Sequence, residues 1–204
     1  SIHYGTEAVA QFGFLQVRPM VVSTATVEVS TDELTGPGVI AASEAVLGNG
    51  LTDTIRDVVF VRPEKFQAAH SRSIADQLGR INRQLVDARR PYLLIGFGRW
   101  GSSDPWLGIP VDWSQVAGAK VIIEATLPNM AVELSQGSQF FHNISSFQVL
   151  YFCMAHTDEH LIDWKWLQSQ SVAVETTHVC HVSLDAPLRV RVDGRTRRGV
   201  ITHG

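Results

Sequence analysis

A chain of 204 residues is long enough for one large domain or two small ones, and 45% hydrophobic with 18% charged residues is enough to build a sizeable core. A net charge of −3 and a pI near 6.2 leave no global positive field to attract nucleic acid or an anionic membrane. No apolar run reaches transmembrane length, no signal peptide opens the chain, and two cysteines cannot make a disulfide framework, so a reduced, cytoplasmic protein is expected.

The chain begins at Ser1 in mid-pattern and reads as a piece of something longer. FGFLQVRP (12–19) predicts a strand closed by Pro19, and MVVSTATVEVS continues in β-branched residues to Ser30. TDELTGPG is a polar turn region; GVIAAS and AVLGNG follow, with Gly48-Asn49-Gly50 as a tight loop. DVVFV predicts a buried strand ended by Pro63. From Ser71 to Ala88 the period becomes helical: Ile74, Leu78, Ile81 and Leu85 recur every three or four residues, and Ser71 or Ser73 can cap the start.

YLLIGF and AKVIIEAT (119–126) predict strands, GSQFFHNISSF (137–147) a short helix, and VLYFCMA another strand. LIDWKWLQSQ predicts a short helix with Asp163 as cap, and SVAVETTHVCHVSL and LRVRV end the chain in strands. The expected class is α/β or α+β: a strand-rich mixed sheet flanked by a few helices, without internal repeats. LRVRVDGRTRRGVI alternates apolar and basic residues around Asp193-Gly194, which predicts a β-hairpin whose arginines form a solvated face rather than a nucleic-acid patch.

Residues 96–101, GFGRWG, spell G-x-G-x-x-G after an apolar strand. A dinucleotide fold needs a long helix from that loop, but Pro105, Gly108 and Pro110 interrupt the segment and WSQVAG is too short, so a true Rossmann fold is excluded. Two readings stay open. In one, the glycine amides of Gly96, Gly98 and Gly101 with Arg99, Ser102 and Ser103 form a nest for a small anionic ligand such as phosphate. In the other the segment is a structural turn in which Trp100 and Trp106 plug the core and Asp104 caps a turn.

HTDEH (156–160) matches the H-x-x-E-H spelling of a zinc site, but that chemistry needs a helix, and its flanks predict a hairpin turn. In TTHVCHV, alternation puts His178 and Cys180 on one face and His181 on the other, which is no ligand set. SQGSQFFHN (135–143) brackets two phenylalanines with polar residues, so His142 and Asn143 can turn toward a cleft; Glu124 and His142 are the candidate catalytic residues, against a core histidine and a cap as the alternative.

FGFLQVRPM resembles the L-Q-x-R-P closing strand of the ATP-grasp-type nucleotide-binding domain of phosphoenolpyruvate synthase and pyruvate phosphate dikinase. VLGNG, PYLLIGFGRWGSSDPWLGIPV, VIIEA, SQGSQFFHNISSF, IDW-x-WL and VDG-x-x-x-x-GVI resemble the C-terminal region of large phosphoenolpyruvate synthase-like bacterial proteins, over nearly the whole chain. The resemblance implies that residues 1–30 close a nucleotide-binding domain and 31–204 form a C-terminal α/β domain. It also implies that Gln16 and Arg18 help hold Mg²⁺ and the phosphates of ATP in a parent ATP-dependent phosphotransferase. Phe97 stands where the family loop has proline, and Gln139 where it commonly has histidine. The lobe that would complete an ATP site is not in these residues, so the chain alone is expected to be an incomplete catalyst, partnered by the rest of its parent; the alternative is a non-catalytic interaction or scaffold domain.

Overall fold

Four apolar runs, at residues 58–61, 92–97, 121–123 and 150–154, have no polar face, so each must be covered on both sides. A computed structural model describes residues 2–3, 11–12 and 26–203, and places those four runs side by side. A short antiparallel pair, β1 (Ile2–His3) and β2 (Gln11–Phe12), comes first. Then follow β3 (Val39–Ser43), β4 (Val46–Leu47), β5 (Gly50–Val61), helix α1 (Ser71–Asp87), β6 (Tyr92–Phe97), the ribbon strands β7 (Arg99–Trp100) and β8 (Gly108–Ile109), and β9 (Ala119–Ala125). Helix α2 (Phe141–Ser146), β10 (Leu150–Met154), helix α3 (Trp164–Gln168), β11 (Ser171–Glu175), β12 (Val179–Asp193) and β13 (Arg198–Thr202) complete the order.

Nine strands form one mixed sheet among the described residues, in the order β3-β13-β12-β5-β6-β9-β10-β4, with β11 on the outer edge of β12. β5, β6, β9 and β10 are mutually parallel, with Val58 opposite Leu93, Leu93 opposite Val121 and Val121 opposite Leu150; the remaining pairs are antiparallel. Parallel neighbours require crossovers. α1 makes the first, and the β7–β8 ribbon and the α2 segment lie within the next two. This is the strand-rich mixed sheet with few helices that the sequence predicts.

The sheet closes on itself. β3 stands at one end of the strand order and β4 at the other, yet only Glu44 and Ala45 separate them, a span of at most about 10 Å. The Cys153 amide donates to the Ala45 carbonyl at 2.9 Å, and the buried Ser43 hydroxyl donates to the Cys153 carbonyl at 2.5 Å. β10 is thereby stitched to the corner. Within the closed sheet, a Cβ on Gly199 of β13 would lie 2.6 Å from Phe152 of β10 and 2.8 Å from Val46 of β4.

α1 forms where the period predicts it, and buries Ile74, Leu78, Ile81 and Leu85 against the sheet, about 1.5–3 kcal/mol for each side chain. Its buried Asn82 is fully bonded: Tyr92 Oη and the Gly118 amide donate to Oδ1, each at 2.9 Å, and Nδ2 donates to the Ser114 carbonyl at 3.0 Å. The helix ends with Arg89 at φ 55 and a bond from the Arg90 amide to the Leu85 carbonyl, 2.8 Å, an ending that more often uses glycine. α3 is capped as predicted, with Asp163 Oδ1 accepting from the Trp166 amide at 2.9 Å.

Three expectations change. β5 starts at Gly50 rather than Asp57, because its exposed polar half pairs with the second half of β12. β12 runs unbroken from Val179 to Asp193 where the sequence reads as two strands, its register shifting between Ser183 and Leu188. HTDEH occupies a loop leading to α3, not the turn of a hairpin. The strand expected at 12–19 lies outside the described residues beyond Phe12.

The arginine-rich hairpin β12–β13 forms, and its charges are largely paired. Arg191 bonds Glu33, Arg198 bonds Glu44 at 3.2 Å, and Arg195 reaches Asp193 at 3.4 Å and Glu28 at 3.5 Å. The same contacts hold residues 26–35 against the hairpin, over a small apolar cluster of Val29, Leu34, Ala42 and Val200. The Arg191 guanidinium, helped by the Ser30 amide, holds the Glu33 carboxyl below its ordinary range.

Because Phe152 is fully enclosed and cannot step aside, Gly199→Ala is expected to cost about 1–3 kcal/mol in chemical denaturation. Glu33→Gln is expected to lower the melting temperature slightly at neutral pH. A depressed folded-state pKa gives stability that is present above the unfolded value, about 4.3, and is lost as pH falls through the folded one. The difference between wild type and Glu33→Gln should therefore vanish in acid, as melting curves across pH will show.

Candidate functional site

The glycine segment follows β6 and folds back on it. Gly96 is inside the strand, opposite Glu124, and an added Cβ would lie 2.3 Å from Trp100 Cζ2, so the indole lies directly on the bare backbone. Trp100 is 1% exposed, and its Nε1 donates to the Ile123 carbonyl at 3.1 Å. Gly98 takes φ 72 with the Leu107 carbonyl where a Cβ would go, 2.6 Å away. Gly101 takes φ 77 against the ring of Phe140. These glycines are needed for positive φ and for close approach, both of which are packing requirements.

The amides decide between the two readings of this loop. Gly98 N donates to the Ala125 carbonyl at 2.8 Å, Arg99 N to the Leu107 carbonyl at 2.8 Å, and Gly101 N to the Ile109 carbonyl at 2.9 Å. Donors bonded to protein carbonyls cannot also cradle an anion, so the Gly98 and Gly101 amides, two of the three glycine amides expected to line the nest, are not available to one. Ser102 is buried, its hydroxyl bonded within its own turn to the Asp104 carbonyl at 3.1 Å; Ser103 is exposed. The Arg99 side chain sends Nε to the Glu133 carbonyl at 2.8 Å. Asp104 caps the turn by accepting from the Trp106 amide at 2.9 Å, but Trp106 is 73% exposed and plugs nothing.

Glu124 is fully buried on β9. Its Oε1 accepts from the Ser135 amide at 2.9 Å, and its Oε2 accepts from Tyr151 Oη at 3.1 Å and from the Cys153 thiol at 3.8 Å. Parallel pairing sets Cys153 opposite Glu124, which explains that contact. Burial, reinforced by the Glu124 carboxylate, pushes the Tyr151 phenol and the Cys153 thiol well up, so both stay protonated and serve as donors. His142 is exposed on α2 beside Phe141, with ring centroids 6.2 Å apart. The structure brings Glu124 together with Tyr151 and Cys153, not with His142 or the glycine amides. Gln16 and Arg18 lie outside the described residues.

Among the other histidines, the rings of His70 and His178 lie 4.8 Å apart. His156 bonds Thr126 Oγ1 at 3.1 Å, and among the described residues no three metal-capable side chains converge. Sequence reasoning missed a buried cluster around Asp57 at the head of the apolar run of β5. Arg90 holds both of its carboxylate oxygens, at 2.6 and 2.9 Å, and His181 Nε2 and Ser183 Oγ reach Oδ1 at 2.7 and 3.3 Å. An acid opening a run of buried residues is itself the signal, because a carboxylate there requires a cation. Comparison with known proteins adds no relative: no family model, no curated protein and no solved structure matches the chain.

Gly96→Ala is expected to displace Trp100 and destabilise the chain by about 1–3 kcal/mol. Urea denaturation followed by tryptophan fluorescence measures both effects, and an unchanged midpoint would remove the packing account of this glycine.

Proposed function

We propose that this chain is the C-terminal domain of a phosphoenolpyruvate synthase-like, ATP-dependent phosphotransferase, and that it serves that parent as a non-catalytic packing and interaction module. One observation carries the second half of the reading. The groups that could react or bind at the glycine loop and at Glu124 are bonded within the protein: three loop amides to carbonyls, and the carboxylate to Ser135, Tyr151 and Cys153. The first half rests on the motif blocks, which also pack against one another. Gly101 of GRWGSSDPWLGIPV meets Phe140 of SQGSQFFHNISSF, Gly137 of that block meets Leu47 and Tyr151, and Gly194 of VDG meets Gly48 and Asn49 of VLGNG.

ATP and Mg²⁺ belong to the parent's nucleotide-binding part, with Gln16 and Arg18 the contribution of this chain. Among the described residues no three metal-capable side chains come together. No described helix is long and apolar enough to cross a membrane, and two buried free thiols, Cys153 and Cys180, suit the reducing cytoplasm.

The purified chain with Mg-ATP is expected to show no ATP consumption above a heat-inactivated control, while the full-length gene product consumes ATP. Turnover by the chain alone would overturn the non-catalytic assignment. A gene product without an upstream ATP-binding lobe would overturn the phosphotransferase assignment and leave the scaffold.

A further inference from the structure

We infer that His70 and His178 form a two-histidine surface site for a borderline divalent metal ion of the Zn²⁺ class, with water completing the coordination. The site is independent of what the parent protein does. His70 immediately precedes α1 and His178 immediately precedes β12, and the fold sets their rings 4.8 Å apart, centroid to centroid, with the planes inclined at 39°. With a metal–nitrogen bond of about 2.0–2.1 Å and a ring radius of about 1.2 Å, each centroid stands about 3.2 Å from a shared ion. Centroids 4.8 Å apart then subtend about 95° at that ion, within the range between neighbouring positions of a square and of a tetrahedron.

The second observation is the state of His178. Its Nδ1 lies 3.1 Å from the Lys65 carbonyl; a carbonyl only accepts, so Nδ1 carries the proton and the Nε2 of the neutral ring holds the lone pair. A metal-binding histidine is oriented in this way, its other nitrogen donating to a backbone carbonyl. Among the described residues Nε2 makes no hydrogen bond, and the buried side-chain atoms without a partner are Ser71 Oγ and Ser135 Oγ, so the unbonded Nε2 reaches solvent. The residue itself is held: its amide donates to Gln77 Oε1 at 3.0 Å and its carbonyl accepts from the Arg62 amide at 2.8 Å. His70 is exposed, on a turn that buries none of its residues, and its ring can present either nitrogen.

The donor set selects the ion. Two neutral imidazoles suit Zn²⁺, Ni²⁺ and Cu²⁺, whereas Mg²⁺ and Ca²⁺ require oxygen ligands. Among the described residues no third histidine, cysteine or carboxylate joins the pair, and the nearby Glu64 is bonded to Arg62 at 2.8 Å. With two protein ligands the ion is held reversibly, more weakly than in a four-ligand structural site, and it ties the turn before α1 to the start of β12.

The test is a titration of the ¹⁵N-labelled chain with Zn²⁺, followed at the imidazole nitrogens and by melting temperature, with Mg²⁺ as control. Expected are saturable shifts of His178 Nε2 and of one His70 nitrogen, with the His178 Nδ1 proton retained, and a rise in melting temperature that EDTA reverses. His70→Ala, an exposed substitution, should melt as wild type does without metal, bind Zn²⁺ about tenfold more weakly or worse, and lose the rise. The inference is overturned if Zn²⁺ shifts only other histidines, if Mg²⁺ reproduces the response, or if His70→Ala binds Zn²⁺ as wild type does.

Discussion

The corner at Ser43–Ala45 constrains the rest of the molecule. Two residues must carry the chain from one end of an order of eight strands to the other, and that is possible only if the sheet curls until its ends meet. The curl brings β13, β10 and β4 so close that a methyl group at position 199 has no room, and it leaves the Ser43 hydroxyl to join what the bend interrupts. β11, with its irregular register at Ala173, pairs only β12 and remains an edge strand.

The glycine segment shows how one sequence signal serves two kinds of chemistry. A G-x-G-x-x-G array supplies positive φ and backbone without side chains, which a phosphate needs and which a tightly packed ribbon needs equally. The partner of each amide separates the two uses. At Gly98, Arg99 and Gly101 the partners are carbonyls of Ala125, Leu107 and Ile109, and the indole of Trp100 occupies the space above Gly96. The loop acts as a fastener between β6 and the segments that cross over it.

Buried polar groups follow the same economy. Asp57 is joined to Arg90 and His181, Glu124 to Tyr151, Cys153 and the Ser135 amide, and Asn82 to Tyr92 and to the Ser114–Gly118 segment. Each ties elements far apart in sequence, and a fully bonded buried group specifies one arrangement over its competitors. The hydroxyls of Ser71 and Ser135 depart from this pattern, buried with no partner among the described residues.

Local periodicity by itself determined α1, the four parallel strands, the cap at Asp163 and the C-terminal hairpin, because each depends on residues a few positions apart: Ile74 with Leu78, Asp163 with Trp166, Val192 with Gly199. It also excluded a dinucleotide fold, since Pro105 and Pro110 forbid the required helix. Only the tertiary structure decided that the sheet closes, that β12 is one strand, that Trp106 faces outward while Trp100 is enclosed, and that Glu124 meets Tyr151 and not His142. Those outcomes rest on contacts between residues tens of positions apart, such as Ser43 with Cys153 and Asp57 with His181, and no local pattern encodes which distant group will supply a hydrogen-bond partner or fill a space.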